Sequence, residues 1–560
     1  MRISFLSWVL LLVNFGINAM QDPKQILASM SLEEKVAQLL VVATVSNEEN
    51  NQELMQKWKN MTSCRIDHSY VFNLAKTIKP GGYIVYGANT TPQEICALIQ
   101  KLKSSTTHYP LFFVDAETSA TQRIKDNIVS FPCAMTLGAI QDTTLIYKLG
   151  KTLGNQLLLL GFDCSCTPVC DINAPENPII GARAFGSTPE NVTQHALALM
   201  KGLHQVGIIT CAKHFPGHGN VKDDSHEKLP RVTDSLKTFQ ECTLKPFKEL
   251  IDAGIETVMI AHLEVPALEE KKGLPSSLSH AIVTTLLQEE LGFKGIAVSD
   301  AFCMKGITDY AKAGEREVMA LKAGMGLILC PEDPELAVTR IVKAVKNKEI
   351  SEETINKRAL KILELKYKHP KTRFDGATFQ RIWNNLTQKA QNLKKELYTK
   401  AITLAKSSTA KPFTRTGKET VLIIGDKSAP FEAMLKKLEM PYMNLSKEQP
   451  INENNALRQI IATNDHIIVS INNMSWDRST NYNIPSVTFD VLQLLKEQGK
   501  KVTTLLFGSP YCIPQFKEYD TIVMAYENDN EAQKAAAKVI CGTIEADGIL
   551  PIDPYIQPIE

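Results

Sequence analysis

Between residue 30 and about residue 370, short apolar runs rich in β-branched residues alternate with longer amphipathic stretches. The runs are Leu39–Thr44, Gly82–Tyr86, Leu111–Asp115, Phe162–Pro168, Gly207–Lys213, Thr257–His262, Gly295–Asp300 and Gly326–Pro331. Such runs, separated by helical periodicity, predict parallel strands joined by crossover helices. Eight units of this kind most simply close into a (β/α)8 TIM barrel. Barrel enzymes carry their chemistry at the C-terminal strand ends. Asp115, Lys213 with His214, His262 and Asp300 all end predicted strands.

Residues 371–410 read as a helical connector that includes Phe379–Ser407. A second alternating region covers 411–560, with strands at Thr420–Ile424, His466–Ile471, Val502–Phe507 and Thr521–Ala525. Helical stretches at Phe431–Leu438 and Glu531–Ile540 lie among them, which predicts a smaller C-terminal α/β sandwich domain. The barrel is thereby assigned to 20–370. Residues 1–19 read as a signal peptide: Met1 and Arg2 precede an apolar run from Phe5 to Phe15, and Ile17-Asn18-Ala19 supplies small-residue cleavage chemistry. This predicts an exported protein, periplasmic or secreted. No second apolar run of membrane-spanning length follows, so no integral membrane segment is expected in the mature chain.

Composition narrows the partners. The 62 Lys and Arg residues nearly balance 61 acidic ones, for a net charge of +1. No nucleic-acid partner is expected from such a balance. The 12 cysteines fall mostly inside apolar strand-like runs, the usage of small buried hydrophobes. Cys164, Cys166 and Cys170 resemble a metal cluster only superficially, because no His or Cys pair follows at zinc-site spacing.

The densest polar segment is Lys213-His-Phe-Pro-Gly-His-Gly219, followed by Asp224-Ser-His226. Lys213 and His214 are donors at a strand end. Pro216, Gly217 and Gly219 then shape a loop. Asp224 and His226 stand two apart, so in an extended segment both project to one side. A carboxylate accepting the imidazole N–H fixes its tautomer and supports the imidazolium, as a general acid/base requires. Asp300 ends the apolar run Gly295-Ile-Ala-Val-Ser-Asp300. A carboxylate there faces a solvation cost unless it is hydrogen-bonded or used. Asp300 as nucleophile opposite a proton-transferring group is the arrangement of retaining glycoside hydrolysis, with the loop histidine replacing the usual second carboxylate. On residues alone, His218 can equally brace its glycine-rich loop, and His262 can be a satisfied core histidine.

These segments together resemble family 3 glycoside hydrolases, specifically the NagZ-type β-N-acetylhexosaminidases. Met30-Ser-Leu-Glu-Glu-Lys-Val-Ala-Gln-Leu39, Asn177-Pro-Ile-Ile-Gly-Ala-Arg-Ala-Phe-Gly186, Ser276-Ser-Leu-Ser279 and Glu290-Leu-Gly-Phe-Lys-Gly295 are similar to family segments in order and spacing. The resemblance implies Asp300 as nucleophile, and His226 with Asp224 as acid/base. It implies sugar binding by Asp115, Arg123, Arg183, Lys213 and His214. It implies no metal and no cofactor. Two departures stand out. Asp115-Ala-Glu-Thr-Ser-Ala120 lacks the two glycines and the arginine that usually follow this aspartate, and Ala301 and Phe302 replace the usual residues after the nucleophile.

The implied activity is exo-acting release of terminal β-linked N-acetylglucosamine from a GlcNAc-containing oligosaccharide or muropeptide, by a monomer or homodimer. The second domain is expected to be mainly structural or dimer-forming, with Glu527 and Asp529 the residues that would replace the loop dyad if it were idle. A family 3 β-glucosidase and a non-catalytic sugar-binding module are the competing readings.

Overall fold

The computed structural model describes residues 22–555 except 63, 88, 107, 126, 222–227, 369–375, 410–412, 414 and 446–453. Residues 1–19, expected to be a signal peptide, and Asp224 and His226 therefore lie outside the described residues.

All eight barrel runs form strands: β1 Leu40–Val45, β2 Gly82–Tyr86, β3 Leu111–Val114, β4 Cys164–Ser165, β5 Ile209–Phe215, β6 Thr257–Ile260, β7 Ile296–Ser299 and β8 Ile328–Leu329. Every paired neighbour is parallel, from β7 through β1 in sequence order and on to β8. The ring closes where Val298 bridges Leu327 and the Ser299 N–H donates to the Leu327 carbonyl at 3.0 Å. Parallel strands covered on both faces need near-continuous apolar sequence, and these strands are almost wholly buried. Local signals set several helix starts. Ser31 with Glu34 and Thr91 with Glu94 form reciprocal caps at the helices Leu32–Ala37 and Pro92–Ser104.

The second sheet comprises β9 Thr403–Ser407, β10 Glu419–Ile424, β11 Tyr442–Leu445, β12 His466–Ile471, β13 Lys501–Leu506 and β14 Thr521–Met524. Its order is β11-β10-β12-β13-β14-β9, with β9 alone antiparallel. The helical reading of Phe379–Ser407 is corrected here. The helix spans Gly376–Ala401, and the chain then turns directly into edge strand β9. β11 is a partly exposed edge strand with little apolar contrast, which is why its sequence carries no strand signal.

Polar contacts join the two sheets' surroundings. Glu527 Oε1 accepts from the Cys133 N–H at 2.9 Å and from the Thr136 hydroxyl at 2.6 Å. Burial pushes its carboxyl above the usual range, against those donors. The chain end returns to the barrel through Ile549 N–H to the Ala139 carbonyl at 2.9 Å and Ser187 N–H to the Pro551 carbonyl at 3.0 Å. Replacing Glu527 with Ala should leave buried donors unsatisfied and cost about 1–3 kcal/mol. The measurement is the urea midpoint, with an unchanged slope expected.

Candidate active site

Three strand ends set up the site. Asp115 follows β3, Lys213 and His214 lie within β5, and Asp300 follows β7. All four line one cavity of ≈ 650 Å³ at the C-terminal mouth, together with Glu117, Arg123, Arg183, His218 and Met304. A volume of this order suits a small ligand enclosed on most sides.

Charge pairing organises the floor. Lys213 is 2 % exposed. Its Nζ stands 3.2 Å from Asp115 Oδ1 and 2.8 Å from Glu117 Oε1. On the far sides, Arg123 donates to Asp115 Oδ2 at 2.7 Å. Arg183 grips Glu117 through Nη2 at 2.6 Å and Nε at 3.0 Å. Burial pushes both carboxyls up, but the Lys213 and Arg123 charges outweigh it at Asp115, as do Arg183 and Lys213 at Glu117. Both are held below their usual range. Burial likewise opposes the Lys213 ammonium, and the two carboxylates overcome it and raise its affinity for the proton.

A second network fixes His214. Asp171, wholly buried, sits 2.7 Å from His214 Nδ1 and accepts the His218 N–H at 2.6 Å. Arg183 Nη2 lies 3.3 Å from His214 Nε2. Arginine only donates, so Nε2 accepts and Nδ1 carries the proton given to Asp171. The Asn177 amide donates to the carbonyls of His218 and Gly219 at 2.6 and 3.0 Å, tying the glycine-rich loop to the segment that carries Arg183. Gly219 is required there, because a Cβ would fall 1.7 Å from the Ile172 carbonyl oxygen. Beyond it, the Asn220 amide donates to Asp234 Oδ1.

Asp300 Oδ1 accepts the Ala301 N–H at 2.8 Å. His262, 0 % exposed, accepts from the Ser277 hydroxyl at 2.7 Å and donates to the Ala301 carbonyl at 3.1 Å. It is a satisfied core histidine that supports the turn after Asp300. His218 braces its loop and also lines the cavity. The expected sugar-binding residues Asp115, Arg123, Arg183, Lys213 and His214 all come together with Asp300. Glu527 does not join them; it is held against residues 133–136. Sequence reasoning missed two participants. Glu117 stands two places after Asp115 and could have been noticed as a second strand-end carboxylate. Asp171 follows a strand with only two paired residues and gives no local signal.

The model of the glycosyl hydrolase family 3 N-terminal domain matches residues 31–365. The chain belongs to glycosyl hydrolase family 3, and by that membership it is a glycoside hydrolase. It is 29% identical over 532 residues to β-hexosaminidase A of Pseudoalteromonas piscicida, covering 84% of this chain and 89% of that protein. It is 33% identical over 264 residues to a β-hexosaminidase of Nitrosomonas eutropha, covering 46% of this chain and 75% of the relative. Among solved structures, a family 3 β-N-acetylglucosaminidase from Paenibacillus sp. str. FPU-7 superposes with a TM-score of 0.73 at 25% identity. The match covers 94% of this chain and all of the other.

Replacing Glu117 with Gln removes one charge from between Lys213 and Arg183. Breaking such a buried pair should cost roughly 3–5 kcal/mol in urea unfolding. Because Asp115 and Glu117 have depressed folded-state pKa values, their stabilisation is present above the ordinary carboxylate range, about pH 4, and is lost as pH falls below it. The unfolding midpoint should therefore drop on acidification, and less steeply in E117Q than in the wild type.

Proposed function

We propose that the protein is an exo-acting retaining β-N-acetylglucosaminidase that cleaves terminal β-linked GlcNAc from peptidoglycan fragments or chitooligosaccharides. The observation that carries this reading is the cavity Asp300 shares with a hydroxyl-binding lattice of Asp115, Arg123, Lys213, His214 and Arg183. The hexosaminidase names of the similar proteins support the acetamido sugar as substrate. Asp115 and Glu117 accept hydrogen bonds from sugar hydroxyls, and Lys213, Arg123 and Arg183 donate to them.

In this mechanism Asp300 attacks the anomeric carbon while His226 protonates the departing oxygen, which leaves a covalent glycosyl-enzyme. His226 then takes a proton from water, which attacks the same carbon and frees Asp300. Asp224 orients the imidazole and stabilises its charged form. With the acid/base assigned to His226 and Asp224, the second domain is left without a chemical step, in keeping with Glu527 being held away from the cavity. No helix among the described residues is long and apolar enough to cross a membrane. Export, suggested by residues 1–19, would bring the enzyme wall or chitin fragments outside the cytoplasm, and wall-fragment recycling is one use of that activity.

His226→Ala should slow hydrolysis by roughly 10²–10⁴-fold, the range for general acid–base catalysis; a smaller loss would mean that another group supplies the proton. Asp300→Ala should abolish covalent labelling by a fluorinated GlcNAc donor, read by intact mass. Nitrophenyl β-GlcNAc should be cleaved faster than nitrophenyl β-glucoside. The opposite order would favour the β-glucosidase reading.

A further inference from the structure

Three cysteines outside the proposed chemistry come together beside the catalytic cavity. Cys303 lies three positions beyond Asp300 and lines the cavity. The Phe302 N–H donates to the Leu329 carbonyl at 2.9 Å, which sets Cys303 beside the end of β8, where Cys330 follows. Cys64 Sγ lies 3.3 Å from the Cys330 carbonyl oxygen and 3.4 Å from that of Pro331. Cys330 Sγ reaches the hydroxyl of Tyr86, another cavity-lining residue, at 3.9 Å. All three cysteines are 7 % exposed or less and unbridged.

We propose that Cys303 and Cys64 form a modification site for small oxidants of the peroxide class, whose product is a disulfide that displaces the Asp300 turn and stops glycoside cleavage. Contacts with the Cys330 and Cys64 thiols act against burial and lower the Cys303 thiol, which favours its thiolate form. That thiolate attacks one oxygen of hydrogen peroxide. An S–O bond forms, the O–O bond breaks, and the departing hydroxide takes up the former Cys303 proton to become water. Cys64 then attacks the oxidised sulfur. An S–S bond forms, the S–O bond breaks, and the second water leaves with the Cys64 proton. Two thiols lose two electrons, and one peroxide becomes two waters.

Cys64 is the partner because residues 64–67 form neither helix nor strand, whereas the Cys330 N–H is fixed to the Val41 carbonyl at 2.8 Å in the barrel wall. Closing an S–S bond of about 2.05 Å draws the 301–304 turn toward Cys64. A shift of about 1 Å at a reacting group can cost on the order of 10²-fold in rate. The effect on activity rests on Asp300 being the nucleophile; formation of the bond does not.

The test uses the full chain, reduced with dithiothreitol, desalted and then exposed to hydrogen peroxide. Non-reducing peptide mass mapping and hydrolysis of nitrophenyl β-GlcNAc are followed in parallel. A Cys64–Cys303 cross-linked peptide should appear as activity falls about tenfold or more, and dithiothreitol should reverse both. Cys64→Ser should keep its reduced-state activity and show no reversible loss. The proposal is overturned if Cys303 stays unlinked or pairs with Cys330, if the cross-link leaves activity unchanged, or if dithiothreitol does not restore it. A reduced enzyme that cleaves no GlcNAc glycoside would sink the functional reading alone, because the cross-link is read by mass.

Discussion

The Lys213 ammonium between Asp115 and Glu117 is the contact on which the rest of the site depends. An isolated buried charge would carry a desolvation penalty of several kcal/mol and would tend to neutralise instead. Here each charge stabilises the next, with Arg123 closing the Asp115 side and Arg183 the Glu117 side. The lattice exists only because the barrel sets β5 and β3 on either side of β4. A register change at either strand would leave buried carboxylates without their cation, so catalytic geometry and barrel register are secured together.

Arg183 links this lattice to the rest of the molecule. It contacts Glu117 on one side and His214 on the other, and His214 is held in turn by Asp171. The segment carrying Arg183 is braced from below by Asn177 and, just beyond it, by the returning chain end, through Ser187 and Pro551. The second domain also reaches this region with Arg478, paired to Glu176 at 3.0 Å. Among the described residues, its connection to the site is therefore through the backbone segments that hold the expected sugar-binding side chains, and none of its side chains lines the cavity.

Much of this was legible in one dimension. The eight barrel strands, and the strand ends at Asp115, Lys213 and Asp300, followed from apolar runs that terminate in polar residues. The resemblance to family segments then singled out Arg123 and Arg183. The misread stretch at Thr403–Ser407 shows a limit of periodicity. An edge strand that follows a long helix without a break inherits its pattern, and only pairing with β14 distinguishes it. Glu117 was visible as a residue but not as a participant, because its importance comes from two partners, at positions 183 and 213.

The sequence by itself determined the alternation of strands and helices, the helix caps at Ser31 and Thr91, and the polar residues left at strand ends. All of these arise from neighbours a few residues apart, whose periodicity and hydrogen bonds are local. Only the tertiary structure decided which charges pair, why Asp171 matters, where Glu527 is held, and that Cys64, Cys303 and Cys330 come together beside the cavity. Those outcomes depend on closure of the ring, which sets β8 against both β1 and β7, and on removal of water from groups far apart in the chain. The strength of a buried charge pair comes from that desolvated setting, and no single segment contains it.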